Sequence, residues 1–131
     1  MIVDSSALVA VLEGEGPAQR LLEALVAAPV VRMSAATYVE CAVVVDRRSS
    51  PATRRRFDEL LHVLGVEVVP LTVEHALLAR EAYRDFGQGT GSPARLNLGD
   101  CYSYALAAES GEPLLFVGDD FTHTDLVAAA Y

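Results

Sequence analysis

The stretch MIVDSSAL, residues 1–8, decides the fold class. An apolar run leads directly into an acid, Asp4, and the residues after it suit the start of a helix. A short, wholly apolar run is typical of a strand covered on both faces of its sheet. We therefore predict a buried strand ending at Asp4, with Ser5 or Ser6 capping a helix over residues 7–13.

The same alternation of short apolar runs and helical patterns continues along the chain. Further strands are predicted over residues 30–33, 66–69 and 114–117. Further helices are predicted over residues 17–28, 35–48, 51–64, 73–86 and 99–109, with breaks at 14–16 and 87–93. Residues 125–131 suit a last strand or a short helix. The alternation predicts a three-layer α/β/α sandwich around a central parallel sheet of four to five strands.

Length and composition indicate one globular domain over residues 1–131, of which 52% are hydrophobic. No apolar run approaches the roughly 20 residues that a membrane-spanning helix needs. No basic segment precedes the first strand, so we expect no signal peptide and a cytoplasmic protein without a membrane partner. Cys41 and Cys101 are expected to be free, buried thiols.

The charge balance contains opposing signals. The net charge of −8 argues against a nucleic-acid partner. However, all ten basic residues are arginine, and half of them lie in one stretch: Arg47, Arg48, Arg54, Arg55 and Arg56. The planar guanidinium grips phosphate or carboxylate through paired hydrogen bonds. This stretch is interpreted either as a solvated helical face or as a contact for RNA or a protein partner.

Several acids fall where α/β domains place their sites, outside the carboxyl ends of the strands. Asp4 follows the first predicted strand, and the pair Asp119-Asp120 follows the run 114–117. Asp100 lies in the first turn of a predicted helix, where a carboxylate also serves as an ordinary cap. Glu40 lies within the strongly apolar stretch 36–45, where a single acid is rarely without a function.

An acidic cluster of this kind points to a bound cation. Two unit charges about 4 Å apart repel by roughly 4 kcal/mol at an effective dielectric constant of about 20. Ligation by carboxylates alone suits Mg²⁺ or Mn²⁺ rather than Zn²⁺, and His62, His75 and His123 lack the spacing of zinc ligands. A hard cation held in this way activates water for attack on a phosphodiester.

Other α/β families with aspartates at strand ends fit less well. Receiver domains and haloacid-dehalogenase-type phosphatases rely on a lysine near the phosphoryl group, and this chain has no lysine. The sequence also contains no GxSxG, P-loop or GxGxxG motif.

Taken in order, several segments resemble one family over essentially the whole chain. They are MIVDSSAL at 1–8, SAATYVE at 34–40, LNLGDC at 96–101, LLFVGDDF at 114–121 and TDL at 124–126. The chain resembles the PIN-domain family and, within it, the VapC-type toxin ribonucleases of type II toxin–antitoxin systems.

The resemblance implies an endoribonuclease that hydrolyses RNA phosphodiester bonds with Mg²⁺ or, alternatively, Mn²⁺. It makes Asp4 and Asp100 the principal metal ligands, while Glu40 positions metal or water. The fourth acid is expected to be Asp120, with Asp119 as the alternate, because similar proteins often vary at the position before it.

The resemblance also implies a supporting hydroxyl and several partners. Ser6, two residues after Asp4, is expected to orient that ligand. The implied partners are RNA, a second copy of the chain in a homodimer, and a VapB-like antitoxin in a heterotetramer or larger assembly. An antitoxin arginine is expected to pair with Asp4 or Asp100 and displace the metal. The alternative is a catalytically weak PIN-fold module that binds RNA or antitoxin.

Overall fold

A computed structural model describes residues 1–14, 16–48 and 50–131, with Arg48 described by its backbone alone. Its elements, in chain order, are β1 (Ile2–Val3), α1 (Ser5–Glu13), α2 (Ala18–Ala27), β2 (Arg32–Ser34), α3 (Ala35–Arg48), α4 (Pro51–Val63), β3 (Glu67–Val69), α5 (Val73–Phe86), α6 (Leu98–Ser110), β4 (Leu114–Leu115) and a 3₁₀ turn (Asp120–His123). None of the helices described is both long and apolar enough to cross a membrane.

The four strands form one sheet in the order β3-β2-β1-β4, and every neighbouring pair is parallel. Their carboxyl ends therefore meet at one edge. β1 lies between β2 and β4, so Asp4 at its end is flanked by the entry to α3 and by the loop after β4. This arrangement brings three widely separated parts of the chain together.

Alternate residues of the strands pack into two separate cores. Ile2 and Leu114 pack with α5 and α6, whereas the next residues, Val3 and Leu115, pack with α1 to α4. Successive side chains of a strand point to opposite faces, so the sheet is covered on both sides. The predicted three-layer α/β/α sandwich is confirmed, with four parallel strands in the part of the chain that the structure describes.

The strands are shorter than predicted. β2 begins at Arg32 rather than at residue 30, β3 at Glu67 rather than 66, and β4 ends at Leu115 rather than 117. The apolar run continues past β4 because Phe116 is buried against Phe121, not because it pairs with a neighbouring strand. An apolar run indicates that its residues are buried, whereas a strand also requires a neighbouring strand within hydrogen-bonding distance.

The predicted cap of α1 was wrong. The helix begins at Ser5, and its N-cap is Asp4, whose side chain accepts a hydrogen bond from the Ser6 amide. An aspartate satisfies a free amide of the first turn as well as a serine does, and its charge also suits the positive end of the helix. Pro17 likewise occupies the N-cap of α2 rather than its first turn.

Other helix boundaries agree closely with the sequence. Ser50 and Thr72 cap α4 and α5 as predicted, each accepting a backbone N–H with its hydroxyl. α6 begins at Leu98, one residue before the predicted start, because Asn97 is its cap. Glu15, in the predicted break at 14–16, lies outside the described residues.

The tail is neither of the two predicted elements. Within residues 125–131 the chain has no regular helix or strand, and Ala128 forms a single parallel bridge with Leu114. Tyr104 of α6 donates a hydrogen bond to Asp125 at 2.6 Å, which fastens the start of this segment. The tail thus lies alongside β4 without extending the sheet by a full strand.

Candidate active site

Asp4 is the most deeply buried acid of the predicted cluster, with 3% of its surface exposed. Its Oδ2 accepts hydrogen bonds from the Ser6 amide at 2.9 Å and from Ser6 Oγ at 2.7 Å. Its Oδ1 accepts one from Ser103 Oγ at 2.6 Å. Burying a carboxylate is costly unless donors replace water, and these three donors do so.

Ser6 links the ends of two neighbouring strands. While its hydroxyl donates to Asp4 at the end of β1, the same oxygen accepts the Val117 amide, beyond β4, at 3.1 Å. Ser6 thus contacts the acid that it is expected to orient, and its bond with Val117 joins the loop that leads to Asp119 and Asp120 to the same oxygen.

Two buried hydroxyls of the site were missed by the sequence reasoning. Ser103 contacts Asp4, and Thr37 Oγ1 lies 3.2 Å from Ser103 Oγ. A signal for them was present: Ser103 follows Asp100 by three positions, and Thr37 precedes Glu40 by three. Residues three apart share a helix face, so each hydroxyl lies one turn from an acid of the cluster.

Asp100 completes the capping box at the start of α6 and also lies near the other acids. Its Oδ2 accepts the Asn97 amide at 2.7 Å, while its own amide donates to the Asn97 side chain at 3.0 Å. Partial burial raises the pKa of Asp100 to about 6; the Asn97 hydrogen bond opposes this rise, and the charges of Asp4, Asp120 and Glu40 add to it. Asp100 therefore both stabilises the start of its helix and lies near the other acids, so its two interpretations from the sequence are compatible.

Glu40 reaches the cluster from the surface rather than from an apolar interior. Its side chain is exposed, and so are the neighbouring apolar residues Val39 and Val43 on α3. Its carboxylate packs against Gly99, where a Cβ would come within 2.1 Å of Oε2. Although the side chain as a whole is exposed, partial burial of its carboxyl group, followed by the charge of Asp4, raises the pKa of Glu40. The apolar surroundings that singled out Glu40 are thus partly solvent-facing.

Asp119 and Asp120 are both exposed, but they differ in their relation to the cluster. The charge of Asp120 contributes to the raised pKa of Asp100, whereas Asp119 is not among the charges that do so. Phe121, next to Asp120, is buried with its ring centroid 5.0 Å from that of Phe116. This anchor holds the backbone of Asp120 near the carboxyl end of β4.

The structure thus brings Asp4, Glu40, Asp100 and Asp120 to one edge of the sheet, from four different parts of the chain. Within the described ranges, no three His, Cys, Asp or Glu side chains are grouped closely enough to hold one metal ion as they stand. The donor set itself consists of oxygens only, which is the chemistry of a hard-cation site.

The remaining candidates lie apart from this cluster or serve the fold. His75 is buried in the capping box of α5 and faces Glu109, while His62 and His123 are exposed. Cys41 and Cys101 are free and buried, and burial, followed by the nearby carboxylates, raises the pKa of each thiol to about 12.

The arginine stretch lies mainly on a solvent-facing surface. Arg54, Arg55 and Arg56 are exposed on α4, and Arg47 is exposed near the end of α3. The side chain of Arg48 lies outside the described residues.

An apolar groove of about 500 Å³ opens beside the acids. Val9 and Ala10 of α1 and Val44 of α3 line it, and it reaches Ser6 and Glu40 at the cluster. Its lining thus combines apolar side chains with the exposed carboxylates of Glu13 and Glu40.

Comparison with known proteins decides the family. The model of the PIN domain matches residues 1–126. The chain belongs to the PIN-domain family. Ribonuclease VapC42 of Mycobacterium tuberculosis is 56% identical to it over 126 residues, which are 96% of each chain. Ribonuclease VapC28 of the same species is 50% identical over 129 residues, covering 98% of this chain and 97% of the relative.

Solved structures of the family share the fold. The crystal structure of VapC20 of M. tuberculosis, described as a Sarcin-Ricin loop cleaving toxin, matches with a TM-score of 0.76 at 18% identity, over 99% of this chain and 98% of that one. A toxin–antitoxin complex from Klebsiella pneumoniae matches with a TM-score of 0.74 at 19% identity, over 99% and 97%. At such identities the likeness concerns the fold alone.

The raised pKa of Asp100 predicts a specific pH dependence of stability. Folding raises this pKa from an ordinary 3.8 to about 6, so ionisation of Asp100 opposes folding. The stability that this carboxyl contributes is complete below its unfolded pKa and is lost as the pH rises through about 6. Asp100→Asn, whose amide oxygen still accepts the Asn97 amide, should therefore be more stable than the original chain at neutral pH, by a margin that shrinks toward acid pH.

Urea unfolding of the two proteins in EDTA, measured across this pH range, checks the expectation. Asp58→Asn, at an exposed position of α4, is the matched control and should change little. A difference between Asp100→Asn and the original chain that stays constant with pH would contradict it.

Proposed function

We propose that this protein is a metal-dependent endoribonuclease toxin that hydrolyses RNA phosphodiester bonds with Mg²⁺ or Mn²⁺. The observation that carries the proposal is the meeting of Asp4, Glu40, Asp100 and Asp120 at one sheet edge, with charges that act on one another. Relatives that are 56% and 50% identical over nearly the whole chain are named ribonucleases, which supports the same activity here. We further infer that the protein acts in the cytoplasm.

The proposed metal ligands are Asp4, Asp100, Glu40 and Asp120, with Asp4 and Asp100 as the principal pair. Their donors are carboxylate oxygens, which Mg²⁺ and Mn²⁺ prefer. When bound, such an ion lowers the pKa of a coordinated water and neutralises charge on the leaving oxygen. Asp120 is preferred to Asp119 because its charge acts on Asp100.

The acids divide into fixed and movable members. Asp4 is held by three hydrogen bonds and Asp100 by its bond with the Asn97 amide. Glu40 and Asp120 are exposed, so their side chains can turn toward a cation at little cost in packing. In this proposal the fixed pair defines the site, and Glu40 positions metal or water beside it.

Binding of RNA needs cations that the acidic site does not supply. The exposed arginines of α4 lie on a helix that packs against both α1 and α3, the helices beside the acidic cluster. We assign to Arg54, Arg55 and Arg56 a contact with RNA phosphates, for which the guanidinium fork is suited.

Removal of a principal ligand, or of the metal, tests the activity. Asp4→Asn and treatment with EDTA should each lower the cleavage rate of mixed single-stranded RNA by about 100-fold, since a lost ion contributes several kcal/mol to the transition state. Asp58→Asn serves as the control. If the purified chain, freed of any partner, cuts no RNA with Mg²⁺ or Mn²⁺, the alternative of a PIN-fold binding module holds.

The packing of Glu40 against Gly99 yields a second prediction. In Gly99→Ala the new methyl group would occupy the place of the Glu40 carboxylate and push that flexible side chain toward solvent. Cleavage should fall about tenfold or more, while the free energy of unfolding should change by no more than about 1 kcal/mol, since alanine favours helix.

The double variant Gly99→Ala/Glu40→Asp, with a shorter acid, should recover part of the lost rate. Rate measurements and urea unfolding together check the prediction. Full activity of Gly99→Ala would mean that Glu40 does not act from its place beside Gly99.

We also propose a VapB-like antitoxin as partner, because the fold matches chains described as toxin–antitoxin complexes. The groove beside the acids suits an apolar antitoxin segment whose arginine pairs with Asp4 or Asp100 and displaces the metal. A homodimer, and a heterotetramer or larger assembly with the antitoxin, belong to the same proposal. The exposed pair Val73 and Leu77, one turn apart on α5, supports such an interface.

Charge placed in the groove tests the antitoxin proposal. Val44→Glu should weaken the complex with the co-expressed cognate antitoxin at least about tenfold, because an acid would enter an apolar contact. Val26→Glu, at an exposed position of α2, should not. Titration calorimetry measures both, and a complex that still binds Mn²⁺ and cleaves RNA would contradict the displacement mechanism.

A further inference from the structure

Two buried hydroxyls form a chain of hydrogen bonds that ends on the first acid. Thr37 of α3 and Ser103 of α6 are both fully buried, with 0% of their surface exposed. Thr37 Oγ1 lies 3.2 Å from Ser103 Oγ, and Ser103 Oγ lies 2.6 Å from Asp4 Oδ1. The chain therefore joins two helices to the end of β1.

The direction of this chain follows from what each group can donate. An ionised carboxylate is an acceptor only, so the single hydroxyl proton of Ser103 points to Asp4. The oxygen of Ser103 must then accept, and the proton in the second bond comes from Thr37. Among the described buried side chains, no polar atom lacks a hydrogen-bond partner.

These hydrogen bonds determine how many lone pairs of the Asp4 carboxylate remain free. A carboxylate offers about four lone-pair positions. On Asp4, Oδ2 receives the amide and the hydroxyl of Ser6, and Oδ1 receives Ser103 alone. One lone pair, on Oδ1, is left for any further ligand, and the donor beside it is Ser103.

We propose that Ser103, supported by Thr37, is a positioning residue that holds Asp4 as a one-oxygen metal ligand through Oδ1. The inference rests on the proposed metal-dependent function. Ser6 restrains one carboxylate oxygen and Ser103 the other, so only Oδ1 keeps a free lone pair. Ser103 and Thr37 lie one helical turn from Asp100 and Glu40, respectively. The same hydrogen bonds therefore fix the positions of α6 and α3 relative to Asp4.

Substitutions at Thr37 are the sharpest test, since they leave the bond between Ser103 and Asp4 chemically possible. Thr37→Val has nearly the same shape without the hydroxyl, and Thr37→Ser keeps the hydroxyl. With Mn²⁺ alone as the probe, calorimetry on the metal-free protein should show about tenfold weaker binding for Thr37→Val and binding within about threefold of the original for Thr37→Ser.

Ser103→Ala should weaken Mn²⁺ binding by about 10- to 100-fold. The double variant Ser103→Ala/Thr37→Val should lose no more than Ser103→Ala alone, because both residues act through one contact. Ser110→Ala, on the same helix but bonded to the Leu106 carbonyl, is the matched control. Unfolding in EDTA records the stability of each variant separately from its metal affinity.

The outcomes separate this inference from the proposed function. If the original chain binds Mn²⁺ and cleaves RNA, and Thr37→Val and Ser103→Ala bind Mn²⁺ equally well, the hydroxyls serve packing alone and the inference is overturned. Additive losses of Mn²⁺ affinity in the double variant would mean that Ser103 and Thr37 act independently. This outcome would contradict the hydrogen-bond chain while leaving the nuclease proposal intact. If the original chain binds no Mn²⁺, both the proposed metal site and the inference fail.

Discussion

The burial of the Asp4 carboxylate, with all but one of its lone pairs taken by protein donors, is the constraint around which the site is built. Asp4 ends β1, caps α1 and accepts hydrogen bonds from Ser6 and Ser103. Ser6 in turn accepts the Val117 amide beyond β4. A buried anion without these donors would be too costly to keep, so β1, α1, α6 and the loop after β4 are held together by the need to satisfy one side chain.

Around this fixed acid, the other carboxylates are held with decreasing firmness. Asp100 is half-buried and bonded to the start of its own helix, whereas Glu40 and Asp120 are exposed. Partial burial, followed by the charges of the neighbouring acids, raises the pKa of Asp100 and of Glu40. In the metal-dependent function that we propose, the rigid acids define the position of the cation, and the exposed acids turn toward it. Gly99 contributes by leaving room for the Glu40 carboxylate.

Most of the fold could be predicted from local sequence. The helices after Ser50 and Thr72 begin where predicted, because capping is a local interaction between residues three apart. The strand ends and the tail were predicted less well. Whether residues 116–117 or 125–131 join the sheet depends on which backbone lies beside them, and no short stretch of sequence contains that information.

The sequence by itself determined the layered α/β class, the family resemblance and the acids themselves, since strand-end and helix-start positions are readable from apolar patterns and motif order. Only the tertiary structure decided how those acids are placed and held. Ser103 and Thr37 lie at the site because α3 and α6 pack together beside β1. Asp120 is preferred to Asp119 as the fourth acid because the adjacent Phe121 anchors the backbone of Asp120. Hydrogen bonds between residues 99 and 66 positions apart depend on helix packing in three dimensions, which sequence spacing does not encode.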